Sequence, residues 1–385
     1  MAERRVTRRR AVLASGGAVV FSGCVSVLDR DRSDDEGARG GNENGSRSQA
    51  KTGQGRTHIG FVGDVMLARG VEAEHADGDP SDPWEAVLPY LESLDGLVGN
   101  LECCLSTRGE RFPDRAFYFR ADPSWAAPAL SRAGFDALSL ANNHLLDYGP
   151  TALLDTLEAL DVEGIAHAGA GEAPEDAYAP THVSVDGVDL AVVSIADHFQ
   201  SYGVTDDRPG TAYLECDPTE ARTRVRLREA LSQARAFDSG PDLVVVSVHW
   251  GPNWVEYPET RYRKFARYLI DSGADVVHGH SAHVFQGVET YNRGVILHDT
   301  GDFVDDYVVK EELRNDRSYC FELVLEAGEL EAVRLVPIEI DDCRVHHASD
   351  DAADWARDTM RERSDPFETD FERDDDALMV TLEQD

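Results

Sequence analysis

Lysine is almost missing from this chain. Only Lys51, Lys264 and Lys310 contribute to its 37 basic residues, and those face 73 acids for a formal charge of −36. The acidity runs along the whole sequence. Such a surface suits high salt, where screening removes self-repulsion and carboxylates stay hydrated. Broad nucleic-acid binding needs clustered cations against phosphates and is excluded as an expectation. Metal-type cysteine spacing is also lacking. The six cysteines, Cys24, Cys103, Cys104, Cys216, Cys320 and Cys343, form no CxxC pair, so a thiol zinc site is not expected. No internal repeat is visible. What remains is a 385-residue chain that is 42% hydrophobic, enough for one large domain or two ordinary ones.

The chain divides by composition. Residues 1–24 read as an export signal. Thr7-Arg8-Arg9-Arg10 precedes AVLASGGAVVF, a stretch too short and glycine-rich for a comfortable membrane span. Paired arginines resemble a twin-arginine signal. Phe21-Ser22-Gly23-Cys24 resembles a lipoprotein processing box, which makes Cys24 the expected lipidation site and the chain an expected surface lipoprotein anchored in the membrane. Residues 25–57 are polar and glycine-rich, and read as a flexible tether. A folded domain is expected over 58–345. Residues 346–385 hold 14 acids and 4 bases and read as an ill-ordered or loosely docked acidic tail.

Within 58–345, apolar runs alternate with amphipathic segments. Strands are expected at Ile59–Val62, Leu97–Val98, Ala137–Leu140, Leu190–Ile195, Leu243–Val248, 275–278 and 294–298. Helices are expected at Pro83–Leu94, Pro123–Ala133, 150–160, 219–236 and Arg261–Ile270. This alternation predicts an α/β fold with helices covering the sheet. Tyr319–Leu325 and Ala332–Val336 read as antiparallel strands.

Several strands end in a metal-competent residue. HIGFVGDVM ends at Asp64, LVVVSVHWGPNW presents His249, and DVVHGHSAH carries His280 and His283. Open α/β sheets place sites at the carboxyl ends of strands, so these runs are expected to deliver ligands to one sheet edge. Glu102, Asn143 and His144 complete the set. Mixed oxygen and imidazole donors suit divalent transition ions such as Mn, Fe or Zn better than Ca or Mg. The ligands Asp64, Glu102, Asn143, His249, His280 and His283 are too many for one tetrahedral ion, so a two-metal centre is expected. Two such ions can hold a hydroxide nucleophile and neutralise phosphoryl oxygens. His144 is the expected general acid, with Asp147 three residues on to orient its ring. Trp250, Trp254 and Tyr257 are expected to pack under the loop after His249, and His198 is a candidate pocket residue.

The blocks Gly63-Asp64-Val65-Met66, Asn100-Leu101-Glu102, Ala141-Asn142-Asn143-His144, His249-Trp250-Gly251 and Gly279-His280-Ser281-Ala282-His283 resemble the CapA family of poly-γ-glutamate and capsule biosynthesis proteins. That family belongs to the calcineurin-like metallophosphoesterase superfamily. The resemblance covers about 58–310, with the blocks in family order. It implies a layered α/β sandwich of mixed sheets flanked by helices. It also implies a metal aspartate at Asp64, a bridging carboxylate at Glu102, metal binding by Asn143, leaving-group assistance by His144, a single histidine ligand at His249 and a closing pair at His280 and His283. This sequence departs from the superfamily at Met66, where a histidine is typical, and in the two-residue spacing of the closing pair. Asp299-Thr300-Gly301-Asp302-Phe303 sits where many members have Ser-Leu-Gly-Asn-Phe.

The expected function is thus an exported, membrane-anchored protein of capsule or poly-γ-glutamate biosynthesis, acting as a dinuclear phosphoesterase. Its partners would be a phosphoester or an anionic envelope polymer, and other polymer-synthesis subunits. The alternatives are a non-catalytic surface protein of the same fold that binds, anchors or exports an anionic polymer, and a generic secreted phosphatase.

Overall fold

The computed structural model describes residues 55–236 and 240–382. The expected signal, the processing box at Cys24 and all but the end of the tether lie outside them. Among the described residues no helix is long and apolar enough to cross a membrane.

The chain enters through strand β1 (Arg56–Val65). Then come β2 (Gly96–Leu101), helix α1 (Pro123–Ala133), β3 (Ala137–Ser139), α2 (Gly149–Glu163) and β4 (Ala166–Ala168). Strands β5 (Thr181–Val185) and β6 (Val188–Ala196) precede α3 (Ala221–Arg235), β7 (Leu243–His249), α4 (Thr260–Asp271) and β8 (Val276–His280). Strands β9 (Val288–Tyr291), β10 (Gly294–Leu297), β11 (Asp302–Val304), β12 (Arg317–Glu326), β13 (Glu329–Asp341) and β14 (Arg344–His347) follow, with α5 (Asp350–Ser364), β15 (Glu372–Asp374) and β16 (Ala377–Thr381) last.

These strands form two principal sheets. The larger has ten strands in the order β15-β16-β13-β12-β1-β2-β3-β4, with β11 beside β1 and β14 beside β13. Strands β1 to β4 run parallel, and β12, β13 and β16 continue antiparallel. The smaller sheet has the order β9-β10-β8-β7-β6-β5. The two face each other across a shared core. Ile59, Phe61, Val98, Val192, Val245, Val276, Tyr319 and Phe321 all belong to one buried cluster. Alternate residues point outward: Val62 and Leu138 pack with Trp84 and Leu130, while Val244, Val246 and Val277 pack with Leu231 and Phe265. The period-2 alternation of strands thus feeds three apolar layers, and helices close both outer faces. The fold is a mixed α/β sandwich, as expected.

Three expectations need correction. The ligand-bearing strands do not share one sheet: β1 and β2 lie in the larger, β7 and β8 in the smaller. The expected helix Pro83–Leu94 is broken into a turn at Asp82–Trp84 and a short helix at Leu88–Leu91. Pro89 has no N–H and disfavours a helical residue before it, so one continuous helix cannot pass. The expected tail is part of the fold. In α5 the residues Ala352, Ala353, Ala356 and Met360 are buried, and β16 pairs with β13 through Ala332–Thr381 to Leu335–Leu378.

Candidate metal centre

The tips of β1, β2, β7 and β8 meet where the two sheets face each other. Strand β1 breaks register between Phe61 and Asp64, and the backbone there closes on the loop before β11. The Asp64 amide donates to the Gly301 carbonyl at 2.9 Å. A Cβ on Gly63 would sit 1.8 Å from that carbonyl oxygen, so only glycine admits the approach. The irregular step turns Asp64 towards the smaller sheet.

Two ligand groups form around it. Asp64, His249 and His280 make the first, and Asp64, Glu102, His283 and Asp302 the second, with all donor atoms of each group within 4.8 Å of one another. His249 Nδ1 and His280 Nδ1 are 2.9 Å apart, and His280 Nδ1 is 3.5 Å from Asp64 Oδ1. His283 Nδ1 lies 3.5 Å from Asp64 Oδ2 and 2.9 Å from Asp302 Oδ1. The carboxylate shared by both groups is therefore Asp64, where the resemblance implied Glu102. The bulge carries Asp64 between the sheets, while Glu102 belongs to the second group and reaches the first through one contact of 3.7 Å to His249 Nε2.

The donors fit divalent cations. Asp64, Glu102, His249, His280 and Asp302 are all at most 1% exposed. Asp64 Oδ2, Glu102 Oε1, Asp302 Oδ2, His249 Nε2 and Asn143 Oδ1 are buried without a hydrogen-bond partner. Four of these atoms belong to the two ligand groups, and they would be costly unless a cation meets them. The first group, one carboxylate and two imidazoles, suits Zn or Fe. The second, with three carboxylates, suits a harder ion such as Mn. Asp302 was not expected as a ligand. In a chain with 73 acids only its place beside Asp64 and His283 singles it out.

The histidine tautomers follow from their neighbours. His278 Nε2 lies 3.0 Å from the Val62 carbonyl, which can only accept. His278 Nδ1 is then an acceptor for the Ser247 hydroxyl at 3.1 Å. The Ser247 oxygen in turn accepts from His280 Nε2 at 3.0 Å. This relay leaves the His280 Nδ1 lone pair directed at the centre. Sequence reasoning passed over His278, although its two-residue step from His280 puts both on one face of β8. The loop beyond is strained: Ser281 has φ 117° and His283 has φ 57°, conformations that non-glycine residues adopt only when surroundings impose them.

Burial first, then neighbouring carboxylates, pushes Asp64, Glu102 and Asp302 well above the usual carboxylate range, though His283 opposes this at Asp64. Burial pushes His249 and His280 well below the usual imidazole range. An ion that binds these carboxyls competes with protons that burial makes them hold more firmly than usual. Mn²⁺ binding is expected to release about one proton or more per chain and to weaken as pH falls from neutrality. Titration calorimetry in two buffers of different protonation enthalpy checks this; equal heats would show that no proton leaves.

Next to the ligands, His144 Nδ1 is 2.6 Å from Asp147 Oδ2, and its ring stacks on Phe119 with centroids 3.8 Å apart. Asp147 is itself held by the Phe119 amide at 2.7 Å and the Tyr202 hydroxyl at 2.8 Å. Burial pulls His144 below the usual imidazole range, against the opposing effect of Asp147. Asn142 is a scaffold residue. Its amide donates to Asn100 Oδ1 and the Leu101 carbonyl, and Asn100 donates to Asp64 Oδ1 at 2.7 Å. Arg115, which sequence reasoning missed, donates to the Asn143 carbonyl at 2.7 Å and lies over Phe199. His198 Nε2 sits 3.1 Å from Ser281 Oγ. Trp250 is buried and donates to the His298 carbonyl. Trp254 stands 5.1 Å from the His283 ring and under Lys310, while Tyr257 is exposed.

Residues 58–307 match the family described as bacterial capsule synthesis protein PGA_cap. A capsule biosynthesis protein CapA of Bacillus anthracis is 32% identical over 255 residues, 64% of this chain and 59% of its own length. A probable polyglutamine synthesis accessory protein of Mycobacterium tuberculosis is 32% identical over 352 residues, 79% of this chain and 90% of its own. A PGA biosynthesis protein CapA of Bacillus subtilis is 30% identical over 249 residues, 64% of this chain and 62% of its own. The chain thus spans about three fifths of the two Bacillus proteins.

Proposed function

This chain belongs to the bacterial capsule synthesis protein family, and from that premise we propose that it serves capsule-type polymer biosynthesis, of the poly-γ-glutamate kind, as a metal-dependent phosphoesterase. The observation that carries the reading is the pair of ligand groups sharing Asp64 beside the His144–Asp147 pair. Two divalent ions held by Asp64, Glu102, His249, His280, His283 and Asp302 would supply Lewis acidity for water activation and for phosphoryl charge. Asn143, with its unpartnered Oδ1, is a further donor.

The protein's own residues do the rest. Asp147 occupies His144 Nδ1 and fixes the ring, so Nε2 is the nitrogen that hands a proton to a leaving oxygen. Phe119 covers one ring face and keeps water from it. Arg115 holds the Asn143 loop from behind through its carbonyl. The same reading puts the chain outside the cell, anchored through Cys24 by the polar segment ahead of β1 and working with other synthesis subunits. The sequence pattern of those residues supports that part.

Metal analysis of the purified full chain, followed by a phosphoester panel, is the test. About two ions per chain with turnover supports the proposal. A metal-poor, inactive but folded protein that still binds polymer sinks it in favour of a carrier role. Within this reading, His144→Gln is expected to lower kcat for an alkyl phosphate about 100-fold or more with metal content unchanged. It should cost far less with p-nitrophenyl phosphate, whose leaving group needs no proton. Equal losses on both substrates would remove His144 from the role of acid.

A further inference from the structure

Exposed apolar side chains gather around the mouth of the metal centre. Phe117, Phe199, Val308 and Val309 are four of the seven large hydrophobic side chains exposed among the described residues, and Val308 is 85% exposed. All four stand beside residues of the centre. Phe117 lies between Arg115, which donates to the Asn143 carbonyl, and Phe119, which stacks on His144. Val308 and Val309 lie between Tyr307 and Lys310. The Tyr307 hydroxyl donates to Glu102 at 3.3 Å, and its ring is 5.0 Å from that of His283. Phe199 sits under the Arg115 guanidinium at 3.7 Å, on a backbone with φ 53°. The first two loops also meet, with the Phe119 and Tyr307 ring centroids 6.0 Å apart.

Cations are interleaved with them. Residues 108–120 hold four arginines against Glu110 and Asp114, in a chain where acids outnumber bases 73 to 37. Arg111 is exposed and packs against the Tyr118 and Tyr148 rings. Arg120 lies over Tyr148, and Lys310 Nζ is 4.8 Å from the Trp254 ring centroid. An aromatic ring holds a cation in place without using up its donors. Of the acids on the 305–312 loop, Asp305 is buried and Asp306 is paired with Arg69, while Glu311 and Glu312 are exposed.

We propose that this rim docks on the surface of an anionic lipid bilayer, with the four apolar side chains inserted at the acyl boundary and the arginines and Lys310 on headgroup phosphates. The apolar residues sit on three separate loops rather than on one helix or sheet face. A fluid lipid layer accepts such tips, whereas a protein partner would have to offer a pocket for each. Anionic headgroups repel an acidic surface, so apolar tips flanked by cations mark a part that can approach. Helix α3 is also rich in arginine, but Val225 is its one exposed large hydrophobic. Apolar insertion persists in salt that screens ion pairs. Docked this way, the centre opens on phosphates held at the lipid surface. None of the inserted residues belongs to either ligand group, so the docking stands or falls separately from phosphoesterase activity.

The test is tryptophan fluorescence on the full chain carrying Cys24→Ser, with a chelator present so that bound ions cannot hold lipid phosphates. The vesicles are phosphatidylcholine and phosphatidylglycerol in equal parts. Val308→Trp is the reporter, read as a difference spectrum against the chain without it. Val225→Trp on α3 and Val162→Trp at the end of α2 that leads into β4, away from the strand tips, are exposed controls. The N-terminal segment can touch lipid in all three, so the differences among them read the rim. A saturable blue shift is expected for Val308→Trp and none for the controls. In that reporter, Phe117→Ser is expected to raise the lipid concentration at half-shift about tenfold, and Lys310→Ala about fivefold. No shift with Val308→Trp overturns the proposal. So does an equal shift in either control, or an unchanged half-point with both Phe117→Ser and Lys310→Ala.

Discussion

Asp64→Ala is expected to empty both halves of the metal centre, because Asp64 is the one residue common to the two ligand groups. Losing a supporting group around a metal typically costs about 10- to 100-fold in affinity, and losing a shared ligand should exceed that for each ion. Elemental analysis should find about two ions per wild-type chain and close to none in the variant. Stability provides a second reading with a defined sign. An ion that binds only the folded state at a thousandfold excess over Kd stabilises by about 4 kcal/mol. Wild-type Tm should therefore rise on adding Mn²⁺, and Tm of Asp64→Ala should not. Metal-free Asp64→Asn is expected to melt no lower than metal-free wild type. It replaces a carboxyl that is fully buried and faces Asp302 and Asp299 by a neutral amide, whose burial carries no charge repulsion when the counter-ion is absent. Retention of both ions in Asp64→Ala would mean that other residues hold them.

Ending the chain at Ala348 is expected to abolish folding. The deletion removes α5 and β16 and uncovers the β13 edge from Ala332 to Leu335. It also removes Met360, Leu378, Val380 and Leu382, each at most 7% exposed. Burying one such side chain contributes about 1.5–3 kcal/mol. Four together approach the roughly 5–15 kcal/mol that holds a typical domain folded. Arg363 goes as well. Its side chain is 2% exposed and donates to the Phe285 carbonyl and to Glu256 Oε1, both at 2.6 Å, so Arg363 joins the C-terminal helix to the loop after His283. Thermal melting by circular dichroism, with gel filtration, is the check. A monomeric fragment with a cooperative transition within a few degrees of wild type would show that the C-terminal segment is dispensable.

The misreading of that segment has a physical cause. Fourteen acids dominate a composition count, but composition ignores direction. Ala352, Ala353, Ala356 and Met360 are buried together with Arg357 and Arg363, while the acids Asp351, Asp354, Asp358 and Glu362 project from the helix into solvent. Pro89 shows the converse, a local signal in plain view that outweighed apolar spacing and broke a predicted helix.

The sequence by itself determined the alternation of strands and helices, the positions of most strands, and the residue types waiting at the tips of β1, β2, β7 and β8. Those are local properties, set by side-chain periodicity and by where glycine and polar residues end an apolar run. Only the tertiary structure decided that the tips belong to two facing sheets, since strand order depends on contacts far apart in the chain. It alone made Asp64 the shared carboxylate, through a bulge that no propensity announces. It also selected Asp302 from among 73 acids by setting it 2.9 Å from His283 Nδ1, and joined Val62, His278 and Ser247 into the relay that aims His280. A ligand is defined by distance and orientation to a common point, and those exist only once the sheets have packed.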